Sequence, residues 1–125
     1  MLGPHLVSIT SLEQLDLSSN ELGAEGARVL TQYLTNLSLL RCLGLRGHNI
    51  GAEGARTLAL IGCLNALQHL DVCLNHIQDG GARALGIHLA TLLSLRQVLL
   101  DFNSVFQDTK EHIRSTLAMV HGLKV

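Results

Sequence analysis

Tryptophan is absent, and Tyr33, Phe102 and Phe106 are the only aromatic residues among 125. A core of this kind must find its bulk elsewhere than in rings. Charge is also scarce: Asp, Glu, Lys and Arg make up 15% of the chain and the net charge is −1. That gives no electrostatic case for nucleic acid or an anionic membrane as partner. No apolar run approaches the roughly 18–20 residues of a membrane span. Residues 1–10 lack a basic segment followed by an apolar core, so no secretory signal is expected there. Cysteines number three, Cys42, Cys63 and Cys73. An odd number without a secretory context predicts free thiols and a reducing, cytoplasmic location. Hydrophobic residues at 47% exclude a disordered tail.

What is abundant is leucine, 28 of the 125 residues. A core made of one aliphatic type suggests one packing solution used repeatedly, and sliding the chain along itself supports this. Leu22-Gly23-Ala24-Glu25-Gly26-Ala27-Arg28 recurs as Ile50-Gly51-Ala52-Glu53-Gly54-Ala55-Arg56, and more weakly from Ile77 to Arg83. Upstream of the copies stand Leu12, Leu15, Leu17; Leu40, Leu43, Leu45; Leu67, Leu70, Val72; and Leu95, Val98, Leu100. One domain is expected, with a partial repeat at 1–11, repeats 12–39, 40–66, 67–94 and 95–122, and a partial repeat at 123–125.

Within each unit, Leu15-Asp16-Leu17 and its copies alternate with period two, the mark of a half-buried strand. Ala27, Leu30, Leu34 and Leu37 then recur at helical spacing, as do Ala82, Leu85, Leu89 and Leu92. Asp79 and Asp108 fit N-caps for the third and fourth helices, and Gly122 fits the C′ position of the last. Neither element can bury its apolar face alone, so the units must stack. Strands stack about 4.8 Å apart and helices no closer than about 8–10 Å, so the stack bends with its strands on the concave side. Gly26-Ala27, Gly54-Ala55 and Gly81-Ala82 are expected to narrow the helical layer at its start.

The pattern Leu12, Leu15, Leu17, Asn20, Leu22 resembles the leucine-rich repeat. The 28-residue period and the Gly-Ala-Glu-Gly-Ala-Arg helix start resemble its ribonuclease-inhibitor-like subclass, which includes repeat domains of NOD-like receptors and Ran GTPase-activating proteins. The resemblance implies an α/β curved leucine-rich-repeat solenoid, with a short parallel sheet on the concave side and helices on the convex side. It also implies a protein partner, bound on the concave face or its rim. In this family a ninth-position Asn forms a ladder, because its amide both donates and accepts. Asn20, Asn75 and Asn103 hold that position; His48 interrupts it and is expected to be the weakest rung, with Asn49 as an alternative through a local bulge.

Strand alternation places Gln14, Asp16 and Ser18; Cys42, Gly44 and Arg46; His69, Asp71 and Cys73; and Gln97, Leu99 and Asp101 on the concave face. Of these, Gln14, Asp16, Ser18, Arg46, His69, Asp71, Gln97, Leu99 and Asp101 are the expected partner-binding residues. Four strands make a face only about 15 Å wide, small for a standard interface. Cys42 would lie beside His69, but no third residue orients the imidazole, so neither a nucleophile nor a metal site is expected. Cys63 reads as a small core residue. Arg28, Arg56 and Arg83 form a column, best explained by helix-surface pairing with Glu25 and Glu53. Gly23 to Gly26 is not a phosphate loop, because no Lys-Ser/Thr follows. The fourth repeat is degenerate, with Phe106 in place of Gly23 and Lys110 in place of Ala27; an atypical last unit that shields the stack is one reading and drift the other.

No catalytic constellation and no cofactor motif is present in this sequence, so a non-catalytic, cofactor-free interaction scaffold is expected. The alternative is a regulatory segment of a receptor or GTPase-activating-type protein. A third reading is end-to-end self-association through Leu2, Leu6 and Ile9 at one end and Leu123 and Val125 at the other.

Overall fold

The computed structural model describes residues 11–18, 21–59 and 64–121. Asn20, Cys63, Gly122 and the terminal apolar residues considered for self-association lie outside them. Strands and helices alternate: β1 (Gln14–Asp16), α1 (Gly23–Leu34), β2 (Cys42–Gly44), α2 (Gly51–Leu58), β3 (His69–Asp71), α3 (Gln78–Leu89), β4 (Gln97–Leu99) and α4 (Gln107–His121). The strands form one parallel sheet in chain order. Leu15 pairs with Leu43, Leu43 with Leu70, and Leu70 with Val98, so the repeat register is the sheet register.

Each strand has only three residues, but the ladder extends past both ends. Arg41 N–H donates to the Glu13 carbonyl at 2.7 Å, and Leu45 N–H to the Asp71 carbonyl at 2.8 Å. Behind the sheet the leucines form one continuous core. Leu34, Leu37, Leu40, Leu43, Leu45, Leu58, Leu67 and Leu85 are all 2% exposed or less. The helices close this core with Ala27, Leu30 and Leu34 from α1, Ala55 and Leu58 from α2, Ala82, Leu85 and Leu89 from α3, and Ile113 and Leu117 from α4. Each layer covers the next, so burial is a property of the stack rather than of any one unit.

The small residues at the helix starts set how closely the helices approach. A Cβ on Gly81 would lie 3.0 Å from the Ala55 Cβ and 3.1 Å from the Ala52 Cα, so α3 rests on the backbone of α2. Between α3 and α4 the contact is made by a side chain instead, because a Cβ on Gly86 would meet Ile113 at 3.2 Å.

Asp79 is not an N-cap. The residue at that position is Ile77, without a side-chain bond, and Asp79 lies inside the first turn of α3. Its carboxylate reaches the following repeat, accepting from Phe106 N–H at 3.0 Å and from the Thr109 hydroxyl at 2.7 Å. Two such bonds across a repeat junction outweigh one within a helix turn. Asp108 likewise falls inside the first turn of α4, which begins at Gln107. The two phenylalanines do not shield the stack: Phe102 is 70% exposed and Phe106 73%. The buried side chains of the fourth layer are Val98, Leu100, Ile113 and Leu117.

Candidate functional site

The exposed side of the sheet is a grid of three columns. Gln14, Cys42, His69 and Gln97 stand in register in the first, and Asp16, Gly44, Asp71 and Leu99 in the second. The third lies one residue past the buried leucine or valine that follows each strand and holds Ser18, Arg46, Cys73 and Asp101. The structure therefore brings together on this face every described residue expected there except Cys73, which is buried. Gln14, Asp16, Arg46, His69, Gln97 and Asp101 are exposed, and Ser18, Asp71 and Leu99 are half-buried.

Cys73 departs from that expectation, being only 2% exposed. The chain has left the strand there, and Asp71 bends back to accept Cys73 N–H at 3.0 Å. Burial and the neighbouring Asp71 and Asp101 carboxylates push the thiol up to about 11. It stays protonated near neutral pH and is no nucleophile. Cys42 does sit beside His69. Among the described residues no group of three or more His, Cys, Asp and Glu could hold a metal ion.

Two of the acids also shape the backbone. Asp16 Oδ1 accepts from Ser18 N–H at 3.0 Å and from the Ser18 hydroxyl at 2.6 Å. That hydroxyl, then the N–H, holds the Asp16 carboxyl below its ordinary value. The same carboxylate leans over Gly44, where a Cβ would lie 2.7 Å from Oδ1. Asp16 and Asp71 thus end their strands with side-chain-to-backbone turns. Asp101 is exposed, and neither it nor Arg46 forms an ion pair among the described residues. They are the unpaired opposite charges of the third column.

Beneath this face runs the ladder. Asn103 Oδ1 accepts from Asn75 N–H at 2.8 Å and Ile77 N–H at 3.3 Å. Its amide donates to the carbonyls of Val72, Leu100 and Asp101. Asn75 repeats the arrangement one layer earlier, accepting from His48 N–H at 2.8 Å and Ile50 N–H at 3.4 Å. It donates to Leu45, Val72 and Cys73. His48 takes the next rung, fully buried, while Asn49 is exposed and does not substitute for it. Its Nδ1 accepts from Leu22 N–H at 3.2 Å, which puts the ring proton on Nε2. Nε2 has no partner at hydrogen-bonding geometry, although the Leu17 carbonyl on the neighbouring layer favours the protonated ring. This is the weakest described rung. Burial outweighs that carbonyl and Asp16, and lowers the His48 pKa.

Arg28 pairs with Glu25 and Arg56 with Glu53, as expected; Arg83 pairs with Asp79, which was not. The Asp79–Thr109 clamp was not foreseen, although Asp79 standing where the earlier copies have Ala24 and Ala52 is its signal. A second unforeseen feature is the rim beside the third column, where Leu74 is 44% and Phe102 70% exposed.

The stacked units and their ladder make this an α/β repeat solenoid. A family model described as Leucine Rich repeat matches residues 8–30, 36–59 and 64–86. The chain belongs to the leucine-rich repeat family. No curated protein matches it significantly. No described helix is long and apolar enough to cross a membrane.

Proposed function

We propose that the chain is a non-catalytic protein-interaction scaffold whose docking surface is the concave strand face. The observation that supports this reading most is the grid itself. Of its twelve positions all but Cys73 are solvent-side, and those eleven are held by a buried leucine–asparagine frame without being part of the core. A rigid, mixed-charge surface on a preorganised backbone is what recognition of a folded partner requires. The 28-residue period and the Gly-Ala helix starts favour the ribonuclease-inhibitor-like subclass. The free thiols of Cys42 and Cys73 favour a reducing compartment such as the cytoplasm.

The test compares proteins captured by the wild-type chain with those captured by a strand-face variant. Asp16→Asn, Asp71→Asn, Asp101→Asn and Arg46→Gln together remove the charges but keep the acceptors that end β1 and β3. Loss of the captured proteins, with unchanged thermal stability, supports the face. Capture that is unaffected removes it. The regulatory alternative predicts that the chain changes the hydrolysis rate of a small GTPase; no change across a panel counts against it.

A further inference from the structure

The first and second units are joined by a rung unlike the others. Across the second junction, Asn75 accepts from His48 N–H and Ile50 N–H and donates to the Leu45 carbonyl. Across the third, Asn103 accepts from Asn75 N–H and Ile77 N–H and donates to the Val72 carbonyl. An amide can do this because its oxygen has two lone pairs and its nitrogen two hydrogens. A neutral imidazole has one acceptor and one donor, so His48 cannot reproduce the set. Its acceptor, Nδ1, holds Leu22 N–H of the first unit at 3.2 Å.

That bond exists in one protonation state only. An asparagine oxygen keeps its lone pairs as the pH falls, whereas a proton on Nδ1 turns the acceptor into a donor that faces Leu22 N–H. The resulting cation would be fully buried. Of its surroundings, β1 brings the Asp16 carboxylate, which favours the cation. The third unit brings the neutral Asn75 amide and, beside Gly47, Cys73 with its thiol protonated. Glu21, Arg46 and His76, on the loops of the three units, are exposed to screening by water and salt. Burial outweighs the pull of Asp16, so the closed junction resists the proton. The first unit is also the one that separates most simply, because β1 is an edge strand and pairs with β2 alone.

We infer that the junction between the first and second units is an acid-sensitive latch, in which protonation of His48 releases the unit of β1 and α1 while the other units stay stacked. Lifting that unit away exposes the side of the ring that carries Nδ1. It also withdraws Asp16 and Ser18, so the exposed grid loses its first row. A freed imidazole titrates at its ordinary 6.5, and opening at pH 5.5 is therefore favoured over opening at pH 7.5 by up to about tenfold. Local opening of one unit is open to a repeat stack, because each unit touches only its neighbours.

The test follows amide hydrogen exchange of the whole chain by nuclear magnetic resonance at pH 7.5 and 5.5, with rates corrected for the intrinsic effect of pH. The amides of Leu17, Leu22, Gly23, Arg41 and Cys42 report on the first junction, since each donates across it. Leu45, Gly47 and Gly51 report in the same way on the second, and Val72, Leu74 and Gln78 on the third. On acidification, protection is expected to fall about tenfold in the first set and to hold in the other two. His48→Asn, which supplies the amide rung, is expected to keep its protection at both pH values. His48→Gln, neutral with a longer side chain, repeats the comparison without depending on how well asparagine fits. An equal fall at all three junctions is a loss of global stability and overturns the proposal. No fall at the first junction, or a fall there that persists in both variants, overturns it too. No partner is added, so these outcomes are independent of the docking reading.

Discussion

Replacing Asn75 by alanine is the most direct test of what holds the layers together. The side chain has five hydrogen bonds: it accepts from His48 N–H and Ile50 N–H, and donates to the carbonyls of Leu45, Val72 and Cys73. Alanine leaves both N–H groups buried and without an acceptor, at about 1–3 kcal/mol each. The carbonyls lose a donor as well, but Val72 retains the Asn103 amide and Cys73 the Gly47 N–H. A loss of about 3–5 kcal/mol follows, against a total on the order of 10 kcal/mol for a domain of this size. The damage should be local, because each repeat touches only its neighbours. Urea unfolding followed by circular dichroism gives the total, and hydrogen exchange at His48 and Ile50 gives the location. If the variant proves too unstable, trimethylamine oxide restores a measurable folded population. A change below about 1 kcal/mol would refute the reasoning, since two orphaned amides cannot cost so little.

Four further outcomes are expected. Burial keeps the His48 pKa below its ordinary 6.5, so the unfolded chain takes the proton first. The stability held above pH 6.5 is lost as pH falls from there toward the folded-state value, where protonation would set an Nδ1–H against Leu22 N–H. Denaturation from pH 7 to 5 should show this slope and His48→Asn should flatten it; an equal slope in both proteins excludes His48 as the cause. Gly81→Ala should cost about 1–3 kcal/mol by forcing α3 off α2. Gly80→Ala, whose new methyl would meet only the flexible Arg56 guanidinium, should gain up to about 1 kcal/mol from helix propensity. Thermal melts in which the two behave alike would contradict the close approach. Iodoacetamide at pH 8 should label Cys42 well before Cys73, because Cys73 is buried with its thiol at about 11; peptide mapping by mass spectrometry checks it.

Period and pattern were legible because a repeat writes the same constraint several times. Leu15, Leu43, Leu70 and Val98 could be aligned by eye, and they pair in that register in the sheet. The exposed columns, Cys73 apart, followed from alternation, and the ladder from the resemblance together with asparagine's capacity to donate and accept at once. These features depend on local spacing, which a one-dimensional string carries in full.

Tertiary structure decided wherever a side chain had a choice of partner across layers. Asp79 looked like a cap for its own helix, but the next repeat offered Phe106 N–H and the Thr109 hydroxyl. Cys73 followed the alternation in sequence yet is buried in the structure. The degenerate fourth repeat left a shielding unit and drift equally open, and only the structure shows Phe102 and Phe106 to be exposed. The sequence by itself determined which residues recur; the stacked layers determined which neighbour each one meets, because hydrogen bonds and burial depend on distance in space and not along the chain.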